Sequence, residues 1–460
     1  MDYYQAHSSF IRQPLNHHLY TLPPPSPPPS HFVSETLRTD LQLRSETLRT
    51  ACAPGLNLPD ELSGYHTLVP LESTTEDRRK FGNWHSTVYR ATGKDDRGYA
   101  LRRIENYRLA HQAAFSAIEQ WSRIQHPNIV QVHEAFTSRS FGDNSLVVAY
   151  TYHPNAQTLY DAHMKPRSPT FQNGRLQAVS YQPIPERTMW SYIIQIAGAM
   201  KAVHDKGLAV RMIDVTKVLL TGKNRIRISS CGVADVLTYI PPTSSTPQPN
   251  GAANAADVNP RMQQDDLSMF GKLIFALCCN DPLAIHDLSA ALETMKKHYS
   301  TDLRNVALFC LSRPGLHKHI SQLFDMIGSR LLTEMDDLQN GMDRLEGELM
   351  SELENARLVR LLSKFGFINE RPEFARDARW SETGDRYIIK LFRDYVFHQV
   401  DEHGHPVVNL SHVLACLNKL DAGTDERIML VSRDEQSLLV VSYKDIKACV
   451  ESAFAELSHR

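Results

Sequence analysis

The sequence predicts an α+β protein with a two-lobed domain, a long helix and a small C-terminal domain. Short strand patterns such as Thr87–Ala91 and Tyr99–Ile104 are concentrated in the first third of the chain. Helical patterns dominate from residue 186 onward and include the strongly apolar segment Asp266–Cys279. The 460 residues also exceed a single core, because a domain usually holds about 100–200 residues.

The composition argues against a strongly basic, a disulfide-rich secreted or a membrane protein. The net charge is −2, with 42% hydrophobic and 22% charged residues, so there is no global basic field for nucleic acid or an anionic membrane. The seven cysteines match neither a zinc site nor a secreted disulfide framework. There is no run of about 18 apolar residues and no signal-peptide pattern. We therefore expect a cytoplasmic protein with no membrane partner.

Residues 1–60 are predicted to be a disordered, proline-rich tail. Seven of the 25 prolines lie in residues 1–33, beside only two charged side chains. This composition favours extended polyproline II over a packed core. Ser34–Thr39 recurs as Ser45–Thr50, and since two copies are too few for a solenoid, we assign the duplication to the flexible tail.

Residues 61–327 are predicted to form the two-lobed domain. Helical spacing is found over residues 109–124 and again over Glu186–Lys206, and Ser145–Tyr152 is an apolar strand. Residues 241–264 contain few apolar side chains and predict a mobile loop.

Residues 328–366 are predicted to form a coiled coil. Leucines and methionines recur at alternating spacings of four and three residues, as in a heptad seam. The series is Leu331, Met335, Leu338, Met342, Leu345 and Leu349. An amphipathic helix packed on its own domain would show the same stripe, but we favour self-association. Residues 367–460 are expected to form a separate unit with a helix at Tyr387–Val400 and strands at Arg427–Val431 and Ser437–Tyr443.

The order of these elements resembles a protein kinase, in which strands and one helix precede a mostly helical lobe. His126-Pro127-Asn128-Ile129-Val130 matches the turn after the helix that carries the ion-pairing Glu. Asp266–Gly271 matches the central helix of the second lobe. The resemblance covers residues 65–327 and implies the two-lobed kinase fold.

The residues that hold phosphates in kinases are absent at the corresponding positions. A kinase needs glycines where its loop closes over the phosphates. The three glycine positions fall on Phe81, Asn83 and Ser86. Arg102 replaces the strand lysine, and Ala117 replaces its glutamate partner.

Two positions of the catalytic loop, Val210–Lys217, and one position of the metal-ligand motif that follows it also depart from the kinase pattern. Met212 replaces the base carboxylate, and a thioether cannot take a proton from a hydroxyl. Lys217 and Ser230 replace the two magnesium ligands. Without magnesium, phosphoryl transfer loses the main stabilisation of its transition state. We predict a pseudokinase without enzymatic activity; the alternative is an unorthodox active kinase that uses Asp214 as its base.

On chemistry alone, nucleotide binding has two interpretations. Arg102 and Lys217 are cations placed to meet phosphates in the absence of a metal. The adenine would meet Thr151–Thr158, the segment between the lobes. The alternative is a pocket collapsed by bulky side chains such as Trp84, in a signalling scaffold unrelated to RNA.

Segments outside the kinase-like domain point to one family. They are Tyr4–His7, Leu15–Tyr20, Phe-Ile-Asn-Glu-Arg-Pro-Glu-Phe at 367–374, Trp-Ser-Glu-Thr-Gly-Asp-Arg-Tyr at 380–387, Leu-Asn-Lys-Leu-Asp-Ala-Gly at 417–423 and Ser-Arg-Asp-Glu at 432–435. With the kinase-like body and the coiled coil, nearly the whole chain resembles the pseudokinase regulatory subunits of the poly(A)-specific ribonuclease (PAN) deadenylation complex.

The resemblance implies a function and partners. Such a subunit forms a homodimer through its coiled coil, and its C-terminal half, which ends in a knob domain, holds the catalytic exonuclease subunit of the PAN complex. It brings the nuclease to mRNA tails through poly(A)-binding protein and poly(A) RNA, for tail shortening and mRNA turnover. Family members often carry an N-terminal zinc finger. Only one cysteine precedes residue 231, so we expect this sequence to lack the finger and direct recruitment by poly(A)-binding protein to be affected.

The resemblance also implies ATP that is bound but not turned over. The family's nucleotide-binding residues correspond to Arg102, Thr151, Tyr152, His153, Pro154, Asn155, Ala156, Gln157, Thr158, Thr216 and Lys217. This set includes the two cations identified above from their charge.

Overall fold

A computed structural model describes most of the chain. The described residues are 34–51, 55–56, 58–72, 80–165, 170–172, 175–177, 182–239, 255–315, 318–370, 384–432 and 435–458. The chain divides into two compact units, residues 40–339 and residues 340–460 together with residues 1–39.

The first unit contains a strand-rich lobe followed by a helical lobe. Its helices and strands, including two helices that begin or end outside it, are α1 (Glu35–Arg49), β1 (Glu61–Leu62), β2 (Tyr65–Pro70), β3 (Lys80–Phe81), β4 (Trp84–Thr92), β5 (Gly98–Ile104), α2 (Ser116–Ser122), β6 (Val132–Ser138), β7 (Ser145–Thr151), β8 (Gln157–Thr158), α3 (Leu159–His163), β9 (Thr170–Gln172), β10 (Arg175–Gln177), α4 (Glu186–His204), β11 (Val218–Gly222), β12 (Arg225–Ile228), α5 (Val233–Leu237), α6 (Ala255–Cys279), α7 (Leu288–His298), α8 (Thr301–Leu311) and α9 (Ile320–Asn369).

The strand-rich lobe is an antiparallel sheet in the order β1-β2-β4-β5-β7-β6, with β3 paired to β4. Side chains alternate between the two faces of a strand. On β7, Leu146 and Val148 therefore face the large core that also contains the helical lobe, while Val147 and Ala149 face a smaller core on the other side. Since both faces are covered, β7 is a continuous apolar run, as its sequence predicted.

The helical lobe is built around α6, whose inner residues include Leu267, Phe270 and Phe275. The prediction of a mobile loop over 241–264 is wrong for residues 255–264, which form the start of α6. The few apolar side chains misled the prediction because this stretch is held by polar contacts. Gln263 Nε2 donates to the carbonyls of His204, the last residue of α4, and of Leu208 just beyond it. Residues 240–254 lie outside the described residues.

The helix predicted over residues 109–124 is shorter than expected. Only Ser116–Ser122 is α-helical, after a 3-10 turn at Gln112–Phe115. Ile118 and Trp121, which lie within the predicted helical segment, are nevertheless buried in the core.

The prediction of a disordered tail over residues 1–60 is wrong for residues 35–49, which form α1. The buried guanidinium of Arg90 explains why this helix is held. It donates to the carbonyls of Thr47 and Leu48, both at 2.7 Å, and to that of Thr50. A helix C-terminus leaves such carbonyls without intrahelical partners and carries a partial negative charge, which a cation satisfies. The proline-rich residues 1–33 lie outside the described part.

The second unit contains the C-terminal part of α9 and a small α/β domain. Its further elements are α10 (Gly384–Phe397), α11 (Leu410–Ala422), β13 (Arg427–Val431), β14 (Leu438–Ser442) and α12 (Tyr443–Ser458). The predicted helix and both predicted strands are thus confirmed to within a few residues. Phe365 of α9 and Phe392 of α10 lie in its core, whereas Phe367 is 57% exposed; Phe374 and Trp380 are outside the described residues.

The predicted heptad seam lies on a single continuous helix, α9. Met335, Leu338, Met342, Leu345 and Leu349 are each 51–60% exposed, and Leu331 is half-buried. The stripe is thus not covered by the rest of the described chain, against the alternative in which it packs on its own domain.

No single helix of the described segments has both the length and the hydropathy needed to cross a membrane; the bent pair Pro260–Cys279 and Ala284–His298, with 88° between its halves, satisfies both criteria only jointly.

Candidate functional site

The first predicted cation, Arg102, lies on the inner face of β5. Strand periodicity places it with Ala100 and Ile104, towards the large core. Its guanidinium is buried, and Nη1 donates to Ser86 Oγ on β4 at 2.9 Å. The serine at the third glycine position therefore orients the arginine that replaces the strand lysine.

The second cation, Lys217, directly precedes β11 and is held by a tight turn. Its backbone N–H donates to the Asp214 carbonyl at 2.9 Å. The Asp214 carboxylate accepts from the backbone N–H of Thr216 at 2.8 Å and from its hydroxyl at 2.6 Å. Asp214, the alternative base, is thus engaged with Thr216, a predicted ATP contact.

The two cations converge on one aromatic ring. Arg102 Cζ lies 5.8 Å from the centroid of the Phe81 ring, and Lys217 Nζ lies 5.1 Å from it. Phe81 is buried and stands at the first glycine position of the kinase loop. Cations within about 6 Å of an aromatic face are attracted to it. The ring of Phe81 therefore contacts both cations that were predicted to meet phosphates, a contact that the sequence did not predict.

The segment Thr151–Thr158 connects the lobes, as predicted. The Thr151 N–H donates to the Gln131 carbonyl at 3.0 Å and the Tyr152 N–H to the Gly98 carbonyl at 3.3 Å. Gln157 and Thr158 form β8, which pairs with β11, and the Thr158 side chain caps α3. The structure thus places this connection beside the strand that follows Lys217.

The middle of the connection is the turn His153-Pro154-Asn155-Ala156. The Ala156 N–H donates to the His153 carbonyl at 3.3 Å, and Asn155 adopts φ +57°. The Thr47 hydroxyl of α1 donates to Asn155 Oδ1 at 2.7 Å. Burial, followed by the charge of Arg227, lowers the pKa of His153 to about 4. The neutral imidazole is therefore favoured in this turn.

The segment that corresponds to the catalytic loop keeps its structural support. Asp266 is fully buried, and its carboxylate accepts from His204 Nε2 at 2.9 Å, the Val210 N–H at 2.6 Å and the Arg211 N–H at 2.7 Å. These bonds fix the backbone just before Met212, which packs against the large core. The loop is thus held in place although its base position is a thioether.

The segment that carries the metal ligand in kinases is attached to the first lobe. Tyr150 donates its hydroxyl to the Cys231 carbonyl at 2.9 Å. The Asp235 carboxylate accepts from Trp121 Nε1 at 2.8 Å and from Arg211 Nη1 at 2.9 Å. Ser230, at the metal-ligand position, is buried at φ +63°. The roles of Trp121, Asp235 and Tyr150 were not predicted from the sequence, because their partners are distant in sequence.

The hairpin of the second unit exposes an aliphatic face. Met429 pairs with Val440 and Val431 with Leu438 across the two strands. These four side chains are 41–64% exposed. Contiguous exposed apolar side chains of this kind mark sites of interaction with other proteins.

Two protein-family models match the chain, one in each half. Residues 78–303 match a family described as protein tyrosine and serine/threonine kinase. Residues 320–457 match the Pan3 C-terminal knob domain.

Similar proteins cover nearly the whole chain. The PAN2-PAN3 deadenylation complex subunit PAN3 of Cryptococcus neoformans is 48% identical over 97% of this chain and 67% of its own length. The chain thus spans about two thirds of this relative.

Two solved structures are similar along their full length. A complex of Neurospora crassa PAN2 (WD40-CS1) with PAN3 (pseudokinase and C-term) contains a chain that is 38% identical, with a TM-score of 0.80 over 93% of this chain and all of that one. The Drosophila melanogaster PAN3 pseudokinase is 41% identical, with a TM-score of 0.73 over 87% of this chain and all of that one. The kinase-like fold followed by a knob is thereby confirmed.

Proposed function

Since the chain belongs to the PAN3 family of deadenylation-complex subunits, we propose that it is the non-catalytic regulatory subunit of a poly(A)-nuclease complex. In this role it binds the catalytic exonuclease PAN2 and brings it to mRNA poly(A) tails, for tail shortening and mRNA turnover. The observation that carries this proposal is the similarity, over 93% of the chain, to a PAN3 solved in complex with PAN2.

The aliphatic hairpin face supports a PAN2 contact in the second unit. We expect the full chain to retain PAN2 from the same organism in a pull-down. Replacing Met429 and Val440 by Asp should weaken retention, because it places charges on an apolar docking surface. Val408, which is 97% exposed and lies outside the hairpin, offers a control with Val408→Asp. If the wild-type chain retains no PAN2, the regulatory function itself is wrong.

The absence of phosphoryl transfer is part of the proposal. It is supported by Met212 at the base position and by Lys217 and Ser230 at the metal-ligand positions. Incubation with labelled ATP and a generic protein substrate should transfer no phosphate. Transfer that disappears in Asp214→Ala would instead establish the unorthodox kinase.

ATP as a bound, unreacted ligand is supported by the convergence of Arg102 and Lys217. Its adenine end would meet Thr151–Thr158 and its phosphates the two cations, provided that the ring of Phe81 moves aside. A ligand that binds only the native state raises its apparent stability. We therefore expect ATP to raise the melting temperature, and Lys217→Ala to reduce that rise. If ATP does not raise the melting temperature of the wild-type chain, the alternative of a collapsed pocket that binds no nucleotide is favoured.

A homodimer through α9 is supported by the exposed seam from Met335 to Leu349. Light scattering should give twice the monomer mass. Leu345→Glu should produce a monomer because it places a charge within an apolar seam. Leu283→Glu is the control, since Leu283 is also exposed (62%) but lies outside α9. A wild-type monomer would contradict this part.

Recruitment to poly(A) completes the proposed function in the cytoplasm. The test measures binding of labelled oligo(A) and oligo(C). Without poly(A)-binding protein it tests direct recruitment, and with poly(A)-binding protein it tests recruitment through that protein. A preference for oligo(A) in either arm is expected, whereas equal, weak binding in all arms would contradict it.

A further inference from the structure

A pocket of about 200 Å³ opens in the second unit where α9, the end of α11 and α12 meet. Its floor consists of buried apolar side chains, namely Leu361, Leu420 and Val450. Its wall carries six ionisable side chains. They are Arg357, Arg360, Lys364, Lys447, Asp421 and Glu451. Four cations therefore surround two carboxylates above an apolar base.

Two of the cations hold the wall together. Arg357 Nε lies 3.0 Å from the Asp421 carboxylate. Lys447 Nζ donates to the Asp421 backbone carbonyl at 2.6 Å. Both contacts converge on the last turn of α11, so α9 and α12 are fixed on either side of the opening. The pocket is therefore preformed, and the Asp421 carboxylate is already engaged in it.

The other two cations of the wall, Arg360 and Lys364, both belong to α9. Arg360 and Lys364 are four residues apart on α9, so their side chains share one face and repel each other. Within the described ranges, neither has a carboxylate partner. Glu451 can offset only one of them. A second anion, supplied by a ligand, would remove this repulsion.

An exposed aromatic surface adjoins the pocket. Lys364 Nζ lies 5.4 Å from the centroid of the Phe454 ring. Phe367, three residues further along α9, packs on the same ring with 6.1 Å between centroids and is 57% exposed. The cations Arg360 and Lys364 thus adjoin an exposed aromatic surface.

We propose that this pocket is an anchoring site for an acidic peptide segment of a partner protein. One Asp or Glu side chain enters between Arg360 and Lys364, and a neighbouring apolar side chain covers Phe367. The volume suits one or two side chains. Single-stranded RNA instead requires a basic groove that follows several phosphates, and Glu451 would repel a second phosphate here. The proposal does not depend on the deadenylation function.

The test uses the full chain and a fluorescein-labelled peptide, Gly-Glu-Leu-Glu-Glu-Phe-Gly, in fluorescence polarisation. We expect binding that weakens about three- to tenfold in Arg360→Glu, because a charge attraction becomes a repulsion. Binding should also weaken as sodium chloride is raised. Arg427→Glu is the matched control, since it makes the same charge change on exposed β13 and should leave binding unchanged. Lys364→Gln is a milder variant with the same expected direction.

Four outcomes would overturn the proposal, and two of them would identify another occupant of the pocket. If a peptide with Gln in place of Glu binds equally well, or if Arg360→Glu behaves like Arg427→Glu, the proposal is overturned. If labelled oligo(A), and not the acidic peptide, loses binding in Arg360→Glu, the ligand is RNA and the proposal is wrong. If light scattering shows that Arg360→Glu changes the oligomeric state, the pocket contacts a second copy, which also overturns it.

Discussion

Replacement of Asp266 by Asn tests whether the loop of a non-catalytic kinase-like domain still depends on its buried carboxylate. Oδ1 accepts one hydrogen bond and Oδ2 accepts two. In the Asp266→Asn variant, an NH2 group replaces one of these oxygens and faces at least one donor. One buried N–H then lacks an acceptor, at a cost of about 1–3 kcal/mol. The remaining bonds lose their charge assistance, which makes them roughly half as strong. We therefore expect a total destabilisation of about 3–5 kcal/mol.

The assay is urea unfolding monitored by tryptophan fluorescence. This signal reports mainly on the unit that contains Asp266, because three of the four tryptophans, Trp84, Trp121 and Trp190, lie in residues 40–339. Asp265→Asn is the control. It makes the same chemical change at the adjacent, exposed position and should alter stability by less than about 0.5 kcal/mol. Equal transition midpoints for the two variants would refute the assigned role of Asp266.

Three further predictions concern the connection between the lobes, the segment that follows Ser230 and the nucleotide pocket. The pKa of His153 is lower in the folded chain, at about 4, than its usual 6.5; its stabilising contribution is therefore present above pH 6.5 and is lost as the pH falls towards 4. His153→Gln should remove about 1 kcal/mol of the stability loss seen between pH 7 and pH 5 in urea titrations, and an unchanged pH profile would contradict this. Gly232→Ala should destabilise the chain by about 1–3 kcal/mol, because Gly232 has φ +84° and an added Cβ would lie 3.0 Å from Trp121 Cδ1. Gly142 has the same φ, but an added Cβ there would have no neighbour within 4 Å, so Gly142→Ala measures the backbone strain alone. Equal losses of stability in the two variants would show that the contact with Trp121 contributes nothing. Phe81→Ala should enlarge the rise in melting temperature caused by ATP, since it removes the ring between the two cations; an unchanged or smaller rise would show that the ring does not compete with phosphate.

The kinase landmarks were predictable because each depends on a short motif with a fixed structural role. Asn128 illustrates this: its Nδ2 donates to Gln195 Oε1 at 2.8 Å and to the Ile226 carbonyl at 3.0 Å, joining the turn after α2 to the helical lobe. The apolar seam of α9 was equally predictable, because its period is written directly in the sequence. That a second copy covers the seam stays a prediction.

Features that depend on distant partners were not predictable. Helix α1 was not predicted because the residues that hold it, Arg90 and Asn155, are about 40 and 108 residues away in sequence from their partners in this segment. Phe81 stands at a recognisable kinase glycine position, but nothing in the sequence gives the direction of its ring. The cationic pocket of the second unit was missed because Arg360 and Lys447 lie on separate helices with no common motif.

The docking of α1 has a practical consequence for the choice of fragments. Arg90 is 3% exposed, and every hydrogen bond described for its guanidinium goes to residues 47–50. Arg44 of the same helix lies near Gly222, the last residue of β11. A fragment trimmed to the kinase-like boundary at residue 61 would deprive a sequestered guanidinium of all these acceptors. Stability or nucleotide affinity measured on such a fragment would reflect the loss of α1 and of its contacts with Arg90 and with the connection between the lobes. An expressed fragment should therefore start before residue 35.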